Sequence, residues 1–344
     1  MAANDIKTHV VLSLARLGAG WLERLQNVSP DLRIEQYPAD DLSAIPDNIW
    51  REVEILYTFG WNLPSPERVP NLRWVQLYSA GINQIQSQPL FKSDVVFTTS
   101  SGIHAINIAE YVFTMALAWF HRFPRLRNWQ QKGQWAPESE IRVSLQPQEL
   151  WGKTMGIVGY GSIGRQVARL ADCFGMHVFA MQRGTDHRDS GFQFPGVGDP
   201  NGSLPERYFA PDQLYAMLSE SDVVLIAVPS TSRTRGMFNR AAFQAMKPSA
   251  FLVNIARGDV CNEADLVLAL QEKQIAGAAL DVFEQEPLPP DSPLWHLPNV
   301  FISPHISGHT PEYDHRVSMI FAENLRRYLA GEPLYNVVDK EQGY

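Results

Sequence analysis

Thr154-Met-Gly-Ile-Val-Gly159-Tyr-Gly161-Ser162-Ile163-Gly164 lies near the middle of the chain, and its reading decides the fold. Thr154–Val158 reads as a short apolar strand that runs into a Gly-x-Gly-x-x-Gly turn. Ser162 to Phe174 then reads as an amphipathic helix. In such a turn the first glycine makes the tight bend, the second lets backbone approach a pyrophosphate, and the third lets helix pack on strand. The helix start adds free N–H groups and the positive end of a dipole. Gly159, Gly161, Ser162, Ile163 and Gly164 are therefore the expected dinucleotide-binding residues. About 150 residues precede the motif, enough for another domain.

Bulk properties agree with a two-domain protein. At 344 residues the chain is long for a single core. Hydrophobic residues make up 45% and charged residues 19%, a globular composition. The formal charge of −8 argues against a general nucleic-acid or anionic-membrane surface, so neither partner is expected. The two cysteines, Cys173 and Cys261, lack metal-ligand spacing; no metal and no disulfide framework are expected. Cys173 reads as a small buried hydrophobe of the helix after the glycines. No apolar run approaches the roughly 20 residues of a membrane span. The start, Met1 to Lys7, carries no basic n-region, which makes the cytoplasm the expected compartment.

On both sides of the motif, strand-like and helix-like runs alternate, as in a parallel α/β sheet. Before it, Val10–Leu14, Leu32–Tyr37, Ile55–Phe59, Trp74–Tyr78 and Val95–Thr99 read as strands, and Ala105–Phe120 as a long apolar helix. After it, strands are expected at Val178–Met181, Val223–Val228, Phe251–Ile255, Ala276–Val282 and Val300–Ser303, with a last helix at Tyr313–Leu329. Gly184 to Phe209, rich in Gly, Pro and charge, reads as an inserted surface loop.

The end of the second strand of a dinucleotide unit selects the nucleotide. NAD sites carry an acid there for the ribose 2′-OH. Here the strand ends in Gln182-Arg183-Gly184, and no carboxylate follows until Asp186. Arg183 suits a 2′-phosphate, through charged hydrogen bonds that an acid would oppose. NADP(H) is therefore the preferred cofactor, with NAD(H) possible.

Three ionisable residues stand just past predicted strand ends: Arg257 in Asn254-Ile-Ala-Arg257-Gly258, Glu286 in Glu284-Gln-Glu286-Pro287, and His305 in Ser303-Pro-His305-Ile-Ser-Gly308. That edge is where open α/β sheets bind ligands. Singly, each has a blander reading: a salt bridge, a loop, a structural histidine. Together they supply what ketone reduction needs. Arg257 would hold a carboxylate and polarise a carbonyl. His305, of a residue type that titrates near pH 6.5, would protonate the developing alkoxide. Glu286 would favour the imidazolium form.

With these residues in view, the chain resembles the D-isomer-specific 2-hydroxyacid dehydrogenase family. The likeness runs through Ser79-Ala80-Gly81-Ile-Asn, Gly102-Ile-His, Ala109-Glu110, Leu150-Trp-Gly-Lys-Thr, the glycine turn, Asn254-Ile-Ala-Arg-Gly, Ala279-Leu-Asp281-Val-Phe, Glu286-Pro and Ser303-Pro-His-Ile-Ser-Gly. It implies that Arg257, Glu286 and His305 are the catalytic trio, with Glu286 rather than Glu284 as the acid. It implies that Asp281 holds the nicotinamide carboxamide. It also implies that the Ser79-Ala80-Gly81 turn presents backbone N–H groups to the substrate carboxylate.

The resemblance further implies an α/β architecture with parallel sheets. A Rossmann cofactor domain, 108–312, is inserted into a flavodoxin-like substrate domain made of 1–107 and 313–344. It implies a cleft that closes on ligand and a homodimer formed through the cofactor domains. Formate dehydrogenases of this kind carry Gln where Glu286 stands, and phosphoglycerate dehydrogenases usually favour NAD. The expected reaction is reduction of a 2-ketoacid (glyoxylate, hydroxypyruvate or a larger one) to a D-2-hydroxy acid. Trp135 and Trp295 are read either as pocket walls or as interface residues. The rival reading, from another class, is a nucleotide-sensing corepressor on the same fold, without turnover.

Overall fold

The computed structural model describes residues 9–14, 18–37 and 42–343. The Met1–Lys7 start, read above for targeting signals, lies outside them. The chain divides into two units. Unit 1 holds residues 1–103, 190–192 and 310–344; unit 2 holds 104–189 and 193–309. No helix among the described residues is long and apolar enough to cross a membrane.

Unit 1 is built on five strands: β1 (His9–Ser13), β2 (Leu32–Gln36), β3 (Ile55–Thr58), β4 (Trp74–Leu77) and β5 (Val96–Thr98). All pair in parallel, in the order β2-β1-β3-β4-β5. This is the flavodoxin-like order. Every residue of β3 and β4 is buried, as the continuous apolar runs predict for strands covered on both faces. The C-terminal helix, Tyr313–Ala330, belongs to this unit and stacks Phe321 on Tyr57 at a ring separation of 4.7 Å.

Unit 2 carries seven strands: β6 (Thr154–Val158), β7 (His177–Met181), β8 (Arg207–Phe209), β9 (Val223–Ile226), β10 (Phe251–Asn254), β11 (Gly277–Leu280) and β12 (Val300–Ile302). They pair in parallel in the order β12-β11-β10-β9-β6-β7-β8. The order is that of a doubly wound Rossmann sheet, and its direction reverses between β6 and β9. Alternate residues feed two cores. Ile157, Leu225 and Val253 pack toward the Ala105–Phe120 and Ser162–Cys173 helices, while Val158, Val224 and Leu252 pack toward the Leu214–Glu220 and Glu263–Gln271 helices.

Two features depart from the sequence reading. Cys173 is exposed rather than buried, because the last turn of its helix carries it off the apolar stripe; Cys261 is the buried one. The Gly184–Phe209 insertion is more than surface loop. It ends in β8, and Asp199 within it is buried. Asp199 accepts hydrogen bonds from the Tyr160 hydroxyl (2.7 Å) and from the Ser203 and Leu204 N–H groups, and its carbonyl accepts from Arg165. The insertion is thereby fastened to the start of the Ser162–Cys173 helix. Composition hid this, because a few polar anchors hold a segment that has little apolar content.

The motif glycines differ in what they tolerate. Gly159 has φ +106°, and a Cβ there would lie 2.7 Å from the Ala227 carbonyl oxygen. A Cβ at Gly164 would lie 2.4 Å from the Gly159 oxygen, whereas one at Gly161 meets nothing within 4 Å. Gly164→Ala should therefore lose about 1–3 kcal/mol of stability through overpacking. Gly161→Ala should melt within a degree or two of wild type, about 0.5 kcal/mol. Thermal unfolding of the two variants side by side checks this; equal losses would contradict it.

Candidate active site

The dinucleotide turn of unit 2 meets the requirements of its ligand. The Ser162–Cys173 helix begins at Gly161 with no side-chain cap, so its first N–H groups are available as donors. The open space on the Cβ side of Gly161 is the room that a close-lying pyrophosphate requires. Gly159 donates its N–H to the Met181 carbonyl, which brings the C-terminal end of β7 beside the turn. Arg183 follows that end and is exposed. The Asp186 carboxylate accepts the Arg188 N–H, and the Asp186 carbonyl accepts from Gln182. The residues present thus fit a nicotinamide dinucleotide.

Past β10, the backbone turns at Arg257. Asn254 holds this turn, accepting the Ala256 N–H (3.1 Å) and donating its amide to the Arg257 carbonyl (3.2 Å). The partly buried Arg257 guanidinium donates to the Ala256 carbonyl, and among the described residues no carboxylate pairs with it. An unpaired guanidinium held by its own turn suits a carboxylate ligand. Gly258, a residue the sequence reading gave no role, explains how this turn reaches the next. A Cβ there would lie 1.8 Å from the Phe283 carbonyl carbon, so only glycine lets the two segments touch.

The segment after β11 separates the two glutamates. Glu284 exchanges bonds with Glu263: Glu263 N–H donates to the Glu284 carboxylate and Glu284 N–H to the Glu263 carboxylate. Glu286 instead accepts the Phe283 N–H (3.0 Å) with one oxygen and meets Nδ1 of His305 (2.7 Å) with the other. An ionised carboxylate only accepts, so Nδ1 carries the proton in this pair. Nε2 takes no part in this pair. Both side chains remain open to solvent.

His305 itself has φ +53°, a left-handed conformation that few side-chain-bearing residues adopt. The buried Asp281 accounts for it. One Asp281 oxygen accepts Ser303 Oγ–H (2.5 Å) and the Ile306 N–H (2.9 Å); the other accepts the Ser307 N–H (3.0 Å). The Asp281 carbonyl accepts the His305 N–H (2.9 Å). Tyr111, on the Ala105–Phe120 helix, donates to Ser303 Oγ, since that oxygen's own proton goes to Asp281. Burial pushes the Tyr111 hydroxyl up to about 12, so it remains a neutral donor. Ser303 and Ser307 stand in the quoted motif, but only the fold reveals Tyr111.

In unit 1 the Ser79-Ala80-Gly81 turn follows β4. Ser79 Oγ donates to the Gly81 carbonyl (2.8 Å) and accepts the Gln84 amide (2.9 Å), while the Ser79 carbonyl accepts the Ser100 N–H. The Ala80 and Gly81 N–H groups find no acceptor among the described residues. The turn is therefore rigid, with its donors open, which is the chemistry of an anion-holding nest. Trp135 and Trp295 are both exposed, at 93% and 48%.

Known proteins resemble this chain in sequence and in fold. The family model described as D-isomer specific 2-hydroxyacid dehydrogenase, NAD binding domain, matches residues 113–307. A glyoxylate reductase of Korarchaeum cryptofilum is 34% identical over 278 residues, 80% of this chain and 78% of its own. An (S)-sulfolactate dehydrogenase of Chromohalobacter salexigens is 33% identical over 266 residues, 76% of this chain and 79% of its own. The crystal structure of a D-isomer specific 2-hydroxyacid dehydrogenase from Xanthobacter autotrophicus Py2, in complex with NADPH and MES, aligns with a TM-score of 0.78 at 29% identity. It covers 98% of this chain and 100% of that one. With its Rossmann sheet, its glycine turn and its strand-end Arg257, Glu286 and His305, the chain belongs to the D-isomer specific 2-hydroxyacid dehydrogenase family and is a nicotinamide-nucleotide-dependent oxidoreductase.

Proposed function

We propose that this enzyme reduces a 2-ketoacid to a D-2-hydroxy acid and prefers NADPH as the reductant. The observation that carries the reading is the 2.7 Å His305–Glu286 pair on a loop that Asp281 holds, with an unpaired Arg257 on the adjoining turn. Gly159, Gly161, Ser162, Ile163 and Gly164 would hold the pyrophosphate, and Arg183 a 2′-phosphate. When bound, the reduced nicotinamide supplies the hydride. The Ala80 and Gly81 N–H groups and the Arg257 guanidinium neutralise the substrate carboxylate, and Arg257 also draws charge toward the carbonyl oxygen. His305 gives the Nε2 proton to that oxygen as it gains negative charge. Glu286 orients the ring through Nδ1 and offsets its positive charge. A carboxylate has about four lone-pair sites. Three at Asp281 are taken by its loop, and the one left suits a carboxamide N–H.

Two relatives lend support to the substrate class: the archaeal glyoxylate reductase and the sulfolactate dehydrogenase are both named for 2-keto- or 2-hydroxyacids. The Xanthobacter relative was crystallised with NADPH, which supports NADPH as the reductant. We also propose a homodimer. Phe123, Leu126, Trp135 and Val143 lie close in sequence on and between the Phe123–Gln131 and Glu138–Val143 helices, and all are exposed. So many large apolar side chains on one short stretch suit burial against a second copy. The two free cysteines agree with a cytoplasmic setting.

His305→Ala should lower kcat by about 10²- to 10⁴-fold with NADPH affinity retained. Arg257→Ala should lower kcat/KM by about 10²-fold or more. Steady-state assays on glyoxylate and hydroxypyruvate read both, and wild-type turnover by His305→Ala would overturn the acid assignment. Arg183→Ala should weaken NADPH by about 1.5–3 kcal/mol, close to 10- to 100-fold in KM, and leave NADH little changed. Equal loss for both nucleotides would remove Arg183 from the 2′-phosphate site. Light scattering should find a dimer for wild type and a smaller species for the double variant Leu126→Asp/Val143→Asp; a monomeric wild type would contradict the dimer.

A further inference from the structure

Beside the Ser79–Gly81 turn, unit 1 carries a partly exposed aromatic face. Phe59 follows β3 and is 40% exposed; its ring packs on Tyr78 with centroids 4.3 Å apart. Tyr78 immediately precedes Ser79 and stacks on Tyr313 (4.8 Å) and on Trp21 (6.4 Å). Trp61, 72% exposed, stands two residues beyond Phe59.

The two loops form one rigid piece. The Gln84 amide donates to both the Phe59 carbonyl (2.8 Å) and Ser79 Oγ (2.9 Å). Gln88 donates to the Gly60 carbonyl (2.5 Å) and accepts the Leu63 N–H (2.8 Å). Gly60, at φ +84°, lies so close to the second loop that a Cβ there would sit 2.5 Å from Ile85. Exposed aromatic surface is thus fixed at a set position from the open Ala80 and Gly81 donors. Rings held this way present large apolar area with little ordering cost on binding.

We propose that the aromatic face of Phe59 and Tyr78 receives the side chain of the substrate, and that the enzyme works on 2-ketoacids with an aromatic or large apolar side chain. This rests on the reading that the Ser79–Gly81 turn holds the carboxylate. In a 2-ketoacid the side chain and the carboxylate leave the same carbonyl carbon. A carboxylate on the turn therefore puts the side chain a few atoms away, within the reach of an adjoining face. The face also selects against a second anionic group. Tyr78 donates its hydroxyl to Asp314, whose carboxylate gives this side of the loop a negative charge. Glyoxylate, with only hydrogen on the carbonyl carbon, would leave the aromatic face unused.

The test is NADPH oxidation by the wild-type enzyme with phenylpyruvate, glyoxylate and oxaloacetate, repeated with Phe59→Ala and Phe59→Leu. In wild type, kcat/KM for phenylpyruvate should exceed that for glyoxylate and for oxaloacetate by about 100-fold. Phe59→Ala should reduce the phenylpyruvate-to-glyoxylate ratio by about 10-fold or more, through KM, with Phe59→Leu in between. Circular dichroism and melting establish that each variant is folded, and an unfolded Phe59→Ala leaves the decision to the wild-type ratios and Phe59→Leu. A wild-type preference for glyoxylate or oxaloacetate, or a Phe59 variant that lowers all three acids alike, would overturn the proposal while leaving the carboxylate turn in place. Turnover of no 2-ketoacid would instead overturn the reading on which it rests.

Discussion

A single buried carboxylate organises the candidate active site. Asp281 is only 1% exposed, and removing such a group from water costs several kcal/mol unless donors replace the lost hydration. Its donors are Ser303 Oγ, Ile306 N–H and Ser307 N–H. Two of these are backbone groups just past His305, and they can both face one carboxylate only if the chain reverses at His305. The reversal puts His305 in left-handed backbone, at a cost of about 1 kcal/mol. The three hydrogen bonds over-determine that conformation. What results is an imidazole projected from a fixed loop, with Nδ1 turned to Glu286.

The second constraint is close approach of backbone to backbone. At Gly159 the dinucleotide turn passes the end of β9, and at Gly258 the Arg257 turn passes Phe283. Both contacts lie at the C-terminal edge of one parallel sheet, and a methyl group at either would push the loops apart. The glycines thus serve two purposes. Gly161 leaves room for a ligand, whereas Gly159, Gly164 and Gly258 let the surrounding chain close up.

Much of this was legible in the sequence, for identifiable reasons. The strands announced themselves as unbroken apolar runs because both faces of each sheet are covered. Their ends ran one or two residues short of the expectation, as at Ile55–Thr58 and Val223–Ile226, because pairing stops where the chain turns toward the ligand edge. Arg257, Glu286 and His305 stood out as candidates through their positions after strands together with the family motifs. The choice of Glu286 over Glu284 came from a motif; in the structure Glu286 meets His305, whereas Glu284 accepts the Glu263 N–H. What could not be read was long-range polar packing. Tyr111 reaches Ser303 across 192 positions of chain, and Asp199 holds Tyr160 across 39. Such pairs leave no periodicity behind. The insertion that contains Asp199 looked like decoration for that reason. Cys173 looked buried because a helix that is amphipathic on average still has an exposed last turn.

The central claim is that Asp281 acts by holding His305 in place. The most direct measurement is the kinetics of Asp281→Asn with its NADPH dissociation constant, read by nucleotide fluorescence. An asparagine keeps one acceptor oxygen and turns an NH₂ group toward a backbone N–H that needs an acceptor. The loop should shift, and displacement of an acid by about 1 Å costs about 10²-fold in rate. The account predicts a kcat lower by that factor, with NADPH affinity changed far less. Wild-type kcat in Asp281→Asn, or a loss confined to NADPH binding, would contradict it.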